Sequence, residues 1–324
     1  MGETSRVERE ESALAQAGEF GFIARLTDRL AQGPGVLLGP GDDAAVITAG
    51  DRRVVASTDM LVEGRHFRRD WSSGLDVGHK AAAANLADIA AMGGRGTALL
   101  VGMCVPDDLP LGWAEDLADG LAAEAAKVDA SVVGGDTVSG PTLTISVTAL
   151  GELQGRAPVT RDHARPGDVL AVAGRLGWAA AGTTILSRGF RSPGALVSAH
   201  RRPQVPYPAG PVAAVLGATA MIDVSDGLLA DLGHISARSQ VAVDVDRAAL
   251  EIPDQMRDAG HALGVDPYQW ALAGGEDHAL VATFPPGTEL GPEWRVIGRV
   301  EAGTGVTVDG LGYAGQPGWD HGRS

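Results

Sequence analysis

A chain of 324 residues, 44% hydrophobic and 21% charged, has the length for two domains and the composition of a soluble globular protein. Its 26 Lys and Arg are outnumbered by 41 Asp and Glu, giving a formal net charge of −15. That excludes the broad basic face that nucleic-acid or membrane-surface binding needs, but not phosphorylated ligands, because divalent cations held on carboxylates reverse the local sign. Lys80 and Lys127 are the only lysines, which reads as compositional bias toward Arg. Cys104, the single cysteine, lies in the apolar run Leu99 to Val105 and reads as a buried thiol; no disulfide framework exists, in keeping with a reducing compartment. Met1 to Glu11 is polar and lacks the apolar core of a signal peptide, and no apolar run approaches the ~20 residues that span a bilayer. The expected location is the cytoplasm.

Phe20 to Leu30 carries Phe22, Ile23, Leu26 and Leu30 at helical spacing. Gly39-Pro40-Gly41-Asp42-Asp43 follows, two adjacent carboxylates on a Gly/Pro turn that leads into a strand from Ala44 to Thr48. Taken alone this is a turn; whether it is more depends on partners for the carboxylates. A hairpin turn at Gly50-Asp51 precedes a strand from Arg52 to Ser57, which is expected to end in Ser57-Thr58-Asp59. Gly78 to Met92 reads as an Ala-rich helix closed by Gly93-Gly94, with Lys80, Ala84 and Asp88 along one face. A carboxylate at position 88, between Ala87 and Ile89, points to solvent, a partner or a metal.

Thr97 to Val105 reads as a strand and Leu111 to Val128 as a helix. Ser131 to Val133 forms a strand that is expected to end at Gly134-Gly135-Asp136-Thr137, and Thr142 to Leu150 alternates as another. The polar, Gly- and Pro-containing stretch Gly151 to Gly167 reads as a boundary, dividing the chain into residues 1–150 and 151–324. Beyond it come a strand from Asp168 to Ala173, a helix from Gly177 to Ser187 and a Pro-rich loop from Arg201 to Pro211. A short strand then delivers Asp223 ahead of Ser225-Asp226-Gly227, where Ser225 or Asp226 is placed to cap the next helix. Ala271 to Leu280 contains Gly274-Gly275-Glu276-Asp277, and short strands and turns lead to Gly318-Trp319-Asp320-His321.

Asp43, Asp59, Asp136 and Asp223 thus each adjoin a short apolar run, with hydroxyl neighbours at Ser57, Thr58, Thr137 and Ser225. Hard divalent cations such as Mg²⁺ take such oxygen ligands together with water and substrate phosphates. Several carboxylates converging without a cation repel one another and raise their own pKa values. The phosphate loop Gly-x-x-x-x-Gly-Lys-Ser/Thr, the protein-kinase motif set, zinc-type Cys/His spacing and a Gly-x-Ser-x-Gly elbow are all absent.

Six blocks, in order, resemble the thiamine-monophosphate kinase family: Gly41-Asp42-Asp43-Ala44-Ala45, Ser57 to Phe67, Asn85 to Gly93, Gly134-Gly135-Asp136-Thr137, Asp223 to Leu228, and Gly274-Gly275-Glu276-Asp277. The closing Gly318-Trp319-Asp320-His321 is similar to the family's C-terminal signature. The resemblance implies an α/β (α+β) two-domain fold of the aminoimidazole-ribonucleotide-synthetase superfamily, whose N-terminal domain binds nucleotide and metal and pairs in a homodimer and whose C-terminal domain completes the active site. It implies direct, Mg²⁺-dependent transfer of a phosphoryl group from ATP to thiamine phosphate, with several Mg²⁺ ions. By position, the implied metal ligands are Asp43, Ser57, Thr58, Asp59, Asp88, Asp136 and Asp223, with Asp226 at a further site. Gly135, Arg161 and Ser225 match nucleotide-contacting positions, and His66, Glu276 and Trp319 match positions that hold thiamine phosphate.

The chemistry agrees, since phosphoryl transfer is mainly positioning and charge neutralisation and an ionised phosphate acceptor needs no strong general base. An Arg161 fork suits phosphate oxygens, and Trp319 suits stacking on a flat cationic ring. Plainer readings stand beside these: His66 and Trp319 as packing residues, Arg161 as a solvated loop charge, Glu276 and Asp277 as turn formers. Two departures from the family pattern are His278 and Ala279 after Asp277, where a Tyr and a Glu are usual, and Ala125-Ala126-Lys127 where an aromatic residue often precedes Gly134. Selenophosphate synthetase and the hydrogenase-maturation carbamoyl dehydratase share the fold but call for a reactive Cys that this chain does not supply at those positions. An aminoimidazole-ribonucleotide-synthetase-like enzyme and a non-catalytic Mg-nucleotide-binding protein are the alternatives.

Overall fold

The structure, a computed structural model, describes residues 21–40 and 44–319. Residues 21–27 are helical and bury Phe22 and Leu26. Strands β1 (Val36–Leu38) and β2 (Val46–Ile47) pair antiparallel. The turn expected at Gly50-Asp51 forms, with Arg52 N donating to Ala49 O at 3.3 Å. It makes no hairpin, however, because β2 pairs with β1 and not with the strand that follows.

A four-stranded sheet comes next, built from β3 (Val55–Val62), β4 (Arg95–Val105), β5 (Ser131–Ser139) and β6 (Thr144–Glu152) in the order β3-β6-β4-β5. Its β4–β5 pair is parallel and the others are antiparallel. Two strands run further than the sequence suggests. Strand β3 continues through Met60-Leu61-Val62, which pair with Ser146, Ile145 and Thr144, so Ser57, Thr58 and Asp59 lie mid-strand. Strand β5 continues through Gly134 and Gly135 to Ser139. Gly135 is there to allow close approach, since a Cβ would collide with the Val101 carbonyl oxygen of β4.

Helices α1 (Gly74–Ala91) and α2 (Leu111–Ala126) cover one face of this sheet. Helix α1 starts one turn earlier than its Ala-rich run suggests, because Ser73 and Asp76 form a reciprocal capping box: Asp76 N donates to Ser73 Oγ at 3.2 Å, and Ser73 N to Asp76 Oδ2 at 3.0 Å. Gly74 and Gly78 extend the helix instead of breaking it. A Cβ at either would collide with the carbonyl oxygen of Trp113 or Leu117, and a Cβ at Gly120 would collide with that of Leu75. The two helices cross backbone to backbone.

The second unit is a seven-stranded sheet ordered β13-β12-β9-β11-β7-β10-β8, with β7 (Val169–Ala173), β8 (Ala220–Asp223), β9 (Ala242–Val245), β10 (Leu280–Phe284), β11 (Trp294–Glu301), β12 (Gly305–Val308) and β13 (Leu311–Gly312). All its pairs are antiparallel except β12–β9. Helices α3 (Trp178–Ser187), α4 (Gly194–Arg201), α5 (Ala209–Val215), α6 (Leu228–Ser239), α7 (Asp254–Leu263) and α8 (Pro267–Ala273) complete it. The fold class is mixed α/β, as the sequence indicates.

One hydrophobic core runs through both units, joining Leu86, Ile89 and Ala90 of α1 to Tyr207, Met221 and Phe284. Along the seam, Arg202 Nε donates to Asp76 at 2.5 Å and Tyr207 Oη to the buried Glu124 at 2.8 Å. Burial alone would raise the Glu124 pKa, but hydrogen bonds from His79, Lys127 and Tyr207 outweigh it and hold the group below its ordinary value. Gly210 of α5 lies directly on the Ala90 carbonyl. Among the described residues no helix is long and apolar enough to cross a membrane.

Candidate active site

Four of the expected residues meet where the two units adjoin. Ser57 and Asp59 face α1 from β3, Asp88 reaches back from α1, and Asp223 arrives at the end of β8. Ser57 Oγ donates to Asp88 Oδ2 at 2.5 Å, and the backbone of Asp59 donates to Oδ1 of buried Asn85 at 2.8 Å. Asn85 in turn donates to Ala81 O at 2.9 Å, which fixes its amide. Asp88 is pushed up to about 7, first by burial, then by the charge of Asp223, with Asp59 adding to it. Asp59 is raised as well, by desolvation first and by Asp223, and it accepts a hydrogen bond from Asp88. Two carboxyl groups that share a proton beside a third are a site short of positive charge.

His278 supplies part of that charge. Its Nδ1 donates to Asp223 Oδ2 at 3.0 Å, and although burial opposes protonation, the Asp223 hydrogen bond raises the imidazole above its ordinary value. The departure from the family pattern at position 278 therefore keeps a ring and sets it against a carboxylate. Asp277 does something else. Buried, it accepts Gly177 N at 2.6 Å and Ala179 N at 2.8 Å and so anchors the N-terminus of α3, with burial raising it to about 7.

Two turns carry the C-terminal residues, and backbone bonds zip them together. Glu276 N donates to Ser225 O at 2.8 Å, His278 N to Val224 O at 3.0 Å, and Trp319 N to Asp226 O at 2.9 Å. Glu276 and His278 both occupy the left-handed region, at φ 67° and 51°, a conformation that only surrounding bonds sustain in non-glycine residues. Neither Ser225 nor Asp226 caps the next helix as expected. Asp231 does so from within the first turn of α6, accepting Asp226 N at 3.1 Å and Gly227 N at 3.0 Å. His66 accepts Val62 N at 2.9 Å through Nδ1 and lies near enough to Asp59 to lower its pKa.

The remaining residues lie elsewhere. Thr58, one residue from Asp59 on a pleated strand, faces the opposite side of the sheet, donates to Val147 O at 3.0 Å and accepts from Thr148 at 3.1 Å. Thr148, Gly135 and Asp136 line a cavity of about 880 Å³ that wraps the β5 edge, walled by Ile23, Leu117 and Leu121. Gly39, Pro40, Ala44 and Ala45 line it too, while Asp43 lies outside the described residues. Among the described residues, the Asp136 side chain accepts the adjacent Thr137 N, at 2.9 Å. Arg161 is exposed and, among the described residues, joins neither group, its carbonyl accepting Ser239 Oγ at 2.7 Å. Among the described residues no three His, Cys, Asp or Glu side chains are drawn together tightly enough to form a ready-made cation site.

Asn85, Lys80, Asp231 and the placement of His278 were not anticipated as parts of the site. The available signal was polar residues embedded in apolar helix, as with Asn85 three residues before Asp88.

Asp231 gives a pH test. Burial first, then Asp223 and Asp226, raise its pKa to about 7, so the folded state favours the neutral acid. That contribution is fully present below the unfolded value near 4 and is lost as pH rises through 7. Urea unfolding of metal-free Asp231→Asn is expected to show a shallower loss of stability between about pH 4 and 7, with a gain on the order of 1–3 kcal/mol at pH 8. An unchanged pH slope would remove Asp231 from this account.

Comparison with known proteins accords with this geometry. Residues 41–153 match the family described as AIR synthase related protein, N-terminal domain. The chain is 52% identical over 312 residues to the thiamine-monophosphate kinase of Mycobacterium tuberculosis, covering 96% of this chain and 93% of the relative. A crystal structure of thiamine-monophosphate kinase from Stenotrophomonas maltophilia superposes with a TM-score of 0.78 at 34% identity, covering 93% of this chain and 97% of the other. A structure of AaThiL complexed with AMPPCP and TMP superposes at 0.79 and 33%, covering 95% and 98%. With acidic residues from both units meeting at one seam and relatives matched along nearly the whole chain, this protein belongs to the thiamine-monophosphate kinase family.

Proposed function

We propose that the protein transfers the γ-phosphoryl group of ATP directly to thiamine phosphate, releasing ADP and thiamine diphosphate. The observation that carries this reading is the convergence of Asp59 and Asp88 with Asp223, where burial first and the neighbouring Asp223 charge after it raise Asp59 and Asp88. A cluster in that state is matched by divalent cations, and all its donors are the hard oxygens that Mg²⁺ prefers. We assign Mg²⁺ to Asp59, Asp88 and Asp223, with Ser57 alongside and with Asp43, Thr58, Asp136 and Asp226 as further ligands. When bound, the ions neutralise phosphate charge and align the reacting groups.

The chain's own residues do the remaining work. The cavity beside Gly135 and Asp136 suits the nucleotide, and aliphatic walls of Ile23, Leu117 and Leu121 stand in for a stacking ring. Asp136, exposed at its edge, is assigned to the phosphate end of the nucleotide. Ser225 and Arg161 are assigned to the nucleotide as well, the latter requiring its exposed side chain to swing inward. His66 and Glu276 hold thiamine phosphate at the seam, and Trp319, 55% exposed beside Asp226, offers its ring to the cationic heterocycle. The phosphate acceptor is already ionised, so no side chain need remove a proton.

Residues 1–150 form the nucleotide- and metal-binding domain in this reading, and residues 151–324 complete the site. A homodimer is supported by the apolar side chains on the sheet face away from α1 and α2: Met60, Leu100 and Val138 are 55%, 37% and 53% exposed. We assign the protein to the cytoplasm.

Incubation with ATP, Mg²⁺ and thiamine phosphate is expected to yield thiamine diphosphate, whereas free thiamine in parallel yields none. Folded protein that gives no product from thiamine phosphate refutes the proposal.

A further inference from the structure

Asp76, Lys80, Ala84 and Asp88 recur every four residues of α1 and so share one face, the face that meets the second unit. Asp76 pairs with Arg202 and Asp88 lies within the field of Asp223. Between them, Lys80 has a side chain only 4% exposed. Its ammonium nitrogen stands 3.0 Å from the His66 carbonyl oxygen and 2.9 Å from Glu276 Oε1. Burying a lysine is unfavourable unless it is paired and hydrogen-bonded, and here both conditions are met.

What Lys80 joins is specific. The His66 turn belongs to the first unit and Glu276 to the second, and their side chains are those assigned above to thiamine phosphate. The other Glu276 oxygen is approached by His200 Nδ1 at 3.5 Å, and His200 is held by Thr183 Oγ1 at 2.8 Å. The left-handed backbone at Glu276 removes further freedom from that side chain.

We propose that Lys80 is a positioning residue for the acceptor substrate, locking Glu276 to the His66 turn so that the two form a single rigid wall across the seam. This rests on the assignment of His66 and Glu276 to thiamine phosphate. Arg202 is the internal control: its pair with Asp76 spans the same seam one turn away, but touches neither wall residue.

The test compares Lys80→Met with Arg202→Met in the full-length protein, varying ATP and thiamine phosphate separately and measuring thiamine phosphate binding by calorimetry. Lys80→Met is expected to raise KM and Kd for thiamine phosphate at least about tenfold while KM for ATP stays within about twofold. Arg202→Met is expected to lower the melting temperature with both KM values within about twofold. Adding Glu276→Gln to Lys80→Met should weaken thiamine phosphate binding by no more than about a further twofold, since the two residues act as a unit. The proposal is overturned if Lys80→Met leaves KM for thiamine phosphate unchanged, if both KM values rise together, or if Arg202→Met gives the same pattern. Should Lys80→Met not fold, Lys80→Arg keeps the charge but not the single-point geometry, and a rise in KM for thiamine phosphate alone of about threefold or more is required. Wild-type protein that neither binds nor phosphorylates thiamine phosphate sinks the functional reading and this inference with it. Normal wild-type behaviour with an unchanged Lys80→Met sinks the inference alone.

Discussion

Asp59→Ala is expected to lower kcat by about 10³-fold or more and to weaken Mg²⁺-dependent ATP binding, while leaving the metal-free protein at least as stable as the wild type. The two halves of this expectation have opposite signs, and that is what makes it informative. In the metal-free protein Asp59 is one of the carboxylates that raise Asp88, and it is itself raised by desolvation and by Asp223. Removing it relieves repulsion and lets Asp88 ionise more readily. If Asp59 were a structural residue, its loss would instead cost stability and spare turnover in the fraction that folds. Steady-state kinetics, calorimetry with ATP and Mg²⁺, and urea unfolding without metal together decide the matter; near-normal turnover removes Asp59 from the site.

Gly78→Val is expected to reduce unfolding free energy by about 3 kcal/mol. Helices α1 and α2 meet through Gly74, Gly78 and Gly120, with each missing Cβ occupied by a carbonyl oxygen of the facing helix. A β-branched side chain at position 78 collides with the Leu117 carbonyl and with Gly120, both backbone, so neither can rotate away. The helices must separate, and every polar residue of α1 moves with them. Activity should therefore fall alongside stability, through the displacement of Lys80, Asn85 and Asp88 together. An unfolding free energy within ~0.5 kcal/mol of wild type would mean that the helices cross less closely than described.

Much of the fold was legible because local patterns agree with the tertiary structure. The Ala-rich run of α1, the alternation of β6 and the closing Gly93-Gly94 all act over a few residues. The same locality explains the errors. Ser57 to Asp59 was read as a strand end because polar residues usually end strands, yet Met60 to Val62 carry the pairing onward. The helix was started at Gly78 and a strand ended at Gly134-Gly135 because the need for a missing side chain, as at Gly74, Gly78 and Gly135, comes from a neighbour distant in sequence. Of the candidate site, the acidic residues were expected from their order along the chain, and Asp59, Asp88 and Asp223 do meet. Lys80 was seen on the right helix face, but its partner Glu276 lies in the other unit and no spacing rule connects them. His278 was read as a loss, because the resemblance records which residue is absent and not where its replacement points. Asp231 went unnoticed because capping from inside a helix leaves no mark at the position where a cap is sought.

Strand β3 pairs with β6 residue for residue, from Val55 opposite Gly151 to Val62 opposite Thr144, without the irregularities that interrupt β4. Its eight residues work as a ruler whose odd divisions address one compartment and whose even divisions address another. Substitutions along it change single graduations. The loss or gain of one residue changes all of them, exchanging the hydroxyl of Thr58 for the carboxylate of Asp59 between the face that carries Thr148 and the seam even if the sheet re-forms. Lineages of this enzyme can therefore vary the letters of this strand more freely than its length.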